Sequence, residues 1–453
     1  MRLGLRGIGP SARSNKADMR FSPSIAEPLR NGMTSPSCYV LVTAMLAIQT
    51  ISSARADEGV QCASRSLDYR VELTTAIKGY DGKTCWVHAR AGAIPPTERS
   101  GSERSPVVVM TLQKLQLSGS DIFYGLNDLR SDDLGKTWIG PTEHAALRRQ
   151  KPRPEIEVVP CDFTPVWHAR TGRLLGTGAT FWYDSKRNDH LSQATSQTSY
   201  SVYDPLKRSW SVWKTLVMPD EPTFQFCRAG CTQRVDLPDG DILLPVYFRP
   251  TTAKRHSAAI CRCRFDGETL SYLERGDELT VEVDRGLYEP SLTRFGERFS
   301  LTLRNDQRSY VATSRDGLHF DPVRAWTFDD GSDLGSYNTQ QHWVTHSDGL
   351  FLVYTRRGAK NDHVFRHRAP LFMAQVDPVR LVILRSTERV LVAERGAGLG
   401  NFGVTQVSPD ETWVITTEWM QPETASRHGS DNSVFVVKLH WNRPNRLTRR
   451  DPQ

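Results

Sequence analysis

Thr345–Arg356 reads THSDGLFLVYTR, a tight polar turn at Asp348-Gly349 that opens directly into an apolar strand. Glycine in such a turn supplies the positive φ that a two-residue hairpin loop needs. The arrangement recurs in HARTGRLLGTG around Thr171-Gly172, LPDGDILLPVYFR around Asp239-Gly240, TRFGERFSLTLR around Gly296 and SPDETWVITTEW around Asp410. In chain order the markers Gly172, Gly240, Gly296, Gly349 and Asp410 stand 68, 56, 53 and 61 residues apart. Each hairpin is followed by a second strand-like stretch: YSVYDPLKRSWSVW, AAICRCRFDGETLSYL, YVATSRDGLHFDPVRAW, LFMAQVDPVRLVIL and VFVVKLHW. One more unit, over about 107–138, precedes the first and brings the total to six, and residues 60–90 are expected to supply a closing strand. Six four-stranded meanders predict an all-β, six-bladed β-propeller, whose radial closure protects its sheet edges. The competing architectures, a β-sandwich or two stacked domains, do not repeat internally at this period.

The 453-residue chain has a formal charge of +7. Residues 1–56 hold seven of the 58 Lys and Arg and two of the 51 acids, leaving 51 cations against 49 acids in the rest. Bulk charge therefore gives no support to a nucleic-acid partner. Tyr39–Ile51 is an apolar run too short to span a bilayer, and Ala54-Arg55-Ala56 after it fits a small-x-small cleavage site. The expected organisation is an N-terminal leader with a secretory signal peptide over 1–56 and a single propeller domain over 57–453. A start at Met33 or a buried core helix are the alternatives for the leader. The mature chain would be exported, periplasmic or extracellular, with no membrane segment. Seven cysteines follow the cleavage site: Cys62, Cys85, Cys161, Cys227, Cys231, Cys261 and Cys263. Export permits disulfides, and Cys227 and Cys231 are spaced to close a small loop. Neither Cys-x3-Cys nor Cys-x-Cys has a second pair of ligands, so no metal or cofactor is expected.

Ser131–Trp138, SDDLGKTW, fits the pattern Ser-x-Asp-x-Gly-x-Thr-Trp at every fixed position. SRDGLHF at Ser314–Phe320 is a degenerate copy and SPDETW at Ser408–Trp413 a fainter one. The pattern resembles the Asp box of the sialidase/BNR-repeat superfamily, whose members are six-bladed propellers, and the resemblance extends over nearly all of 60–441. It implies that Ser131 and Asp133 cap a tight turn while Trp138 packs between sheets.

In a meander blade the strand 2–3 loops and the links between blades share one face. Arg249, Arg304 and Arg356 follow their hairpin glycines by nine, eight and seven residues, at the exit of the second strand in three successive blades. They are expected on one rim with Glu289 in YEPSL, Asp162, Tyr337, His342 and the loop 357–368. From Arg356 onward that segment carries Arg356, Arg357, Lys360, Arg366 and Arg368 with His363 and His367, against the one acid Asp362. Arginine forks bind carboxylates in bidentate fashion, so the rim predicts an acidic ligand; a solvated basic loop with Arg–Glu pairs is the plainer alternative. His168 reads as a satisfied core histidine. His363-x3-His367 has no third ligand at a recognisable spacing.

The sialidase resemblance implies three arginines on the substrate carboxylate, here Arg90 (in HARAGAIP), Arg304 and Arg356. It implies Glu289 as the group that activates a nucleophile and Asp121 as acid/base, with Asp128 and Asp162 as rivals. Arg249, Arg366, His363 and Asp162 complete the expected substrate-binding set. Sialidases take a tyrosine nucleophile from the last part of the propeller, and no tyrosine follows Tyr354 here. Tyr337 is the substitute within reach of the rim; Tyr288, adjoining Glu289 in a strand, would face the other way. The expected function is sialidase-like hydrolysis of an acidic carbohydrate, with Glu289, Asp121, Tyr337 and His342 as catalytic candidates. A uronate-directed lyase using Tyr337, His342, His363 or His367 and a non-catalytic glycan-binding propeller are the alternatives.

Overall fold

Antiparallel pairing runs through the computed structural model, which describes residues 67–96, 105–119, 121–191 and 196–448. The leader, its signal peptide, the alternative start and Cys62 lie outside these residues. Six sheets follow one another along the chain and form a ring, a six-bladed β-propeller. The first blade is Thr84–Ile94, Val107–Gln116, Ile122–Ser131 and Ile139–Glu143. The second is built on Ile156–His168, Arg173–Asp184 and Thr198–Asp204. In the third, Phe226–Arg228 and Val235–Asp236 both pair with Asp241–Arg249, and Ser257–Phe265 and Leu270–Arg275 follow. The fourth starts from Tyr288–Phe295 and Arg298–Arg304, the fifth from His342–His346 and Gly349–Tyr354. The sixth takes Gly403–Ser408, Glu411–Thr417 and Val434–Trp441, and its outer strand is Tyr69–Ile77, paired from Tyr69↔Trp441 to Ile77↔Val434. The closing strand expected within 60–90 is this one, but Thr84–Ile94 is instead the inner strand of the first blade, which therefore begins well before residue 107.

Apolar side chains pack between neighbouring blades. Val108, Met110 and Leu129 of the first blade meet Trp413, Ile415 and Val436 of the sixth, and Val311 of the fourth meets Leu350 and Leu352 of the fifth. The polar turns close on themselves. Ser131 donates its hydroxyl to Asp133 (2.8 Å) and accepts from the Gly135 amide (2.8 Å), while Asp133 accepts from the amide and hydroxyl of Thr137 (2.9 and 2.6 Å). Burial raises the Asp133 carboxyl, but the bonds from Thr137 and Ser131 prevail and hold it at about 2. Trp138 meets Trp413 edge to face at 6.2 Å. Ser314 and Asp316 repeat the pattern, with the Leu318 and His319 amides each 2.8 Å from Asp316.

The disulfide expectation is corrected. All six described cysteines are free and buried. Cys227 packs with Cys261 and Cys263 in the apolar layer between the second and third blades, whereas the Cys231 thiol turns to Asp162, 3.0 Å away.

Candidate active site

Three inner strands carry a β-bulge, and at each bulge a charged or imidazole side chain occupies the left-handed backbone region. His88 (φ 57), Asp162 (φ 53) and Glu289 (φ 47) sit at the register shifts Val87/Arg90, Cys161/Thr164 and Tyr288/Ser291. A bulge re-aims the side chain it carries, and non-glycine residues at positive φ cluster at functional sites because the surrounding fold must hold them there.

The first two bulges build one buried network. His88 Nε2 lies 3.1 Å from Asp162 Oδ1, and the Cys231 thiol donates to the same oxygen. Arg90 Nη2 lies 3.1 Å from Cys231 Sγ and 3.7 Å from Asp162 Oδ1; its Nε donates to the Phe402 carbonyl, 3.3 Å away, from the link into the sixth blade. Burial depresses His88 below the usual imidazole range, so it stays neutral. Burial raises the Asp162 carboxyl, but His88 and Arg90 outweigh it and keep the group low and ionised. Arg90 is 1 % exposed, and its Nη1 has no hydrogen-bond partner among the described residues.

The third bulge builds a second network. Both Glu289 oxygens accept from Arg304 Nη1, at 2.7 and 2.6 Å, and Arg304 Nη2 donates to Asn338 Oδ1 at 2.9 Å. Arg368 reaches the same asparagine, donating from Nε and Nη2 to its carbonyl at 3.1 and 2.6 Å. Arg304 is the guanidinium bonded to Glu289, and the same carboxylate also acts electrostatically on Arg90 of the first blade and Arg368 of the fifth. Arg368 makes no carboxylate contact among the described residues. Burial, with Arg304 and Arg366 adding like-charge repulsion, pulls it down to about 10. Asp121, at the turn between the second and third strands of the first blade, holds Tyr183 through its own carbonyl (2.9 Å) and acts electrostatically on His88.

Several expected residues go elsewhere. Arg356 is locked to Glu388 by Nε and Nη2, at 2.8 and 2.6 Å, and packs on Phe372, so Arg368 is the fifth-blade arginine at the axis. Arg249 donates to the carbonyls of Pro250, Thr251 and Ala253 in its own loop and lies over Phe226. Arg366 is exposed beside Phe365. His363 pairs with Glu394 at 3.0 Å and packs on His428, away from Glu289. His342 is buried, 2.8 Å from the Ser291 hydroxyl and against Phe402, and burial and Arg90 push it down to about 3. Asp128 is held between Trp210 Nε1 (2.8 Å) and His144 (2.9 Å), inside the sheet. Tyr337 does not face Glu289: its hydroxyl lies 2.5 Å from His367 Nδ1, and His367 Nε2 lies 3.1 Å from Asp362. Tyr288 turns its hydroxyl to Asp306. His168 bonds Thr171 (2.8 Å) and the Gly240 carbonyl (2.9 Å), as a core histidine does. His88, Asn338 and the axial role of Arg368 escaped the sequence reading, because none stands at the strand-exit position used to search.

His88, Cys161 and Asp162 are the one group of potential metal ligands among the described residues. Cys161 lies 3.5 Å from His88 Nδ1 and Asp162 3.1 Å from Nε2, so the two flank opposite ring nitrogens. One ion cannot bond both nitrogens of an imidazole, and Arg90 already supplies the positive charge beside Asp162.

Neither a family model nor a curated protein matches the chain. Solved structures do. A protein of unknown function from Dyadobacter fermentans aligns at 14% identity and a TM-score of 0.55, over 82% of this chain and 99% of its own. A Hadza microbial sialidase aligns at 12% identity and a TM-score of 0.54, over 78% and 65%, and the Trypanosoma rangeli sialidase at 14% and 0.55, over 82% and 60%. The fold is that of the sialidases. This sialidase-like propeller spans under two thirds of the length of those two enzymes. The Trypanosoma rangeli sialidase has also been solved in complex with sialic acid. No helix among the described residues is long and apolar enough to cross a membrane.

Proposed function

We propose that this exported propeller binds a carboxylate-bearing sugar at its axis and hydrolyses the glycosidic bond. The observation that carries this is the shared grip of Arg304 and Arg368 on Asn338 beside the Arg304–Glu289 pair, with Arg368 given no acidic contact by the described chain. A guanidinium held partly out of water without an acidic contact favours an anionic ligand. Arg368, half-buried, offers its guanidinium to a sugar carboxylate, and Arg304 adds positive charge beside it. The sialic acid complex of a structurally similar sialidase supports the same ligand class.

In this scheme Asp121 gives its proton to the leaving oxygen as the bond from the anomeric carbon breaks. Water adds to that carbon, and Glu289 accepts the proton the water loses. Water takes the attacking role because the Tyr337 hydroxyl is engaged by His367. The test is turnover of the purified mature chain on sialosides and on uronic-acid glycosides, followed by release of free acidic sugar. Glu289→Gln should abolish release; unchanged turnover removes Glu289 from the reaction.

One observation favours a second reading. The chain Tyr337–His367–Asp362 is a hydrogen-bonded relay that could take the C5 proton of a uronate, as in a lyase. A lyase product absorbs in the near ultraviolet through its new double bond, and a hydrolase product does not. A glycan-binding propeller without activity would show affinity and no product at all.

A further inference from the structure

A cleft of about 830 Å³ opens between the strand 2–3 loops of the fourth and fifth blades, a volume in the range of small-ligand sites. Its floor includes Phe328 and Tyr337, and its walls carry Arg308, Asp333, Arg357 and Arg385. Three of these charges are already matched: Arg308 pairs with Asp333 (3.5 Å), and Arg385 with Asp330 (2.9 Å). Arg357 differs. Its guanidinium lies over the Tyr337 ring at 4.2 Å and donates to the Gln307 carbonyl at 2.9 Å, with no carboxylate contact among the described residues. Its amide is tied to the Gly335 carbonyl at 3.0 Å, so the arginine is held in place from both ends. A Cβ on Gly335 would meet Arg357 Cγ at 3.2 Å, and Gly335 has φ +73, so the close approach depends on glycine there.

The cleft adjoins the axis directly. Tyr337 precedes Asn338, the residue that Arg304 and Arg368 both grip, and Asp306 on the cleft wall lies 3.8 Å from Arg304 Nη2. We propose that the cleft is a second subsite for an acidic sugar unit, so that the ligand is an oligomer with a carboxylate on adjoining residues. Arg357, braced on the Tyr337 ring, receives the second carboxylate. This rests on the axial reading above, which concerns one sugar only.

The experiment is calorimetric titration of the full mature chain with two probe pairs: sialic acid and its 2,8-linked trimer, and galacturonic acid and its trimer. For one pair the trimer should bind at least about tenfold more tightly than the monomer, equal to about 1.4 kcal/mol. Arg357→Ala should bring that ratio to within about twofold, and Arg357→Lys should restore part of it; Arg357 is exposed, so neither variant threatens the core. Monomer bound with no trimer preference, or a preference untouched by Arg357→Ala, overturns the subsite and leaves the axial reading standing. Failure of every probe to bind overturns both.

Discussion

Replacing Asp162 by asparagine tests the charge network under the site. Arg90 Nη2 lies 3.7 Å from Asp162 Oδ1, and both side chains are buried. At an effective dielectric of about 20 that separation corresponds to about 4 kcal/mol of attraction. Removing one partner of a buried ion pair typically costs about 3–5 kcal/mol, because the other charge is left uncompensated. The replacement amide keeps an oxygen for His88, so Asp162→Asn should lower stability by about 3 kcal/mol, at the lower end of that range. The pH dependence has a defined sign. The folded carboxyl sits below its ordinary value, so its contribution is present above about pH 4 and is lost as pH falls through the lowered value. Urea unfolding of wild type, Asp162→Asn, Arg90→Met and the double variant at about pH 7 and again well below about pH 4 measures both effects. The double-mutant cycle should return a coupling of about 2 kcal/mol or more near neutral pH. A single variant within about 0.5 kcal/mol of wild type, or additive losses in the cycle, would refute the network.

Arg368→Met should weaken binding of an acidic monosaccharide at least about tenfold by titration, whereas Arg356→Met should register chiefly as about 1–3 kcal/mol of lost stability through Glu388. Asp133→Ala removes bonds to Thr137 and Ser131 at the turn Ser131–Trp138 and should cost about 2 kcal/mol in urea unfolding; an unchanged midpoint counts against a capping role. The thiols of Cys85, Cys161, Cys227, Cys231, Cys261 and Cys263 are buried, so a thiol-specific reagent should modify them only on unfolding. Fast labelling of these six in the native protein, located by peptide mapping, would contradict the packing.

The ring was legible because each turn announces itself: Gly172, Gly240 and Gly296 all take positive φ at hairpin bends, and the strands between them are apolar. The gathering of Glu289, Arg304 and the loop before Leu371 on one face was legible too, since Arg304 bonds Glu289 and shares Asn338 with Arg368. The choice of arginine was not. Gly296 lies inside its turn, while Gly349 is itself the first residue of its strand, paired with His346. Counted from the first paired residue, Arg298 or Gly349, Arg304 stands six residues on and Arg356 seven. An odd step in an extended chain reverses the side chain, which sends Arg356 to Glu388 and leaves the axis to Arg368. Nor do strand patterns disclose bulges: His88 lies in an unbroken run between Val87 and Ala89, and only the register shift shows it turned inward. Tyr337 failed for a related reason. The Asn338 backbone at φ 54 bends the link, and Asn338 rather than Tyr337 bonds Arg304.

The clasp between Tyr69–Ile77 and Val434–Trp441 joins segments that stand at opposite ends of the propeller sequence. Such a contact is slow to form, because the loop it closes is long. The first and sixth blades adjoin only once the circle is shut, and the hold of Arg90 on the Phe402 carbonyl spans that same seam. The seam that Arg90 spans therefore depends on that long-range closure. A lesion that loosens the clasp, even one far from the axis in the outermost strand, should silence the protein before it unfolds it.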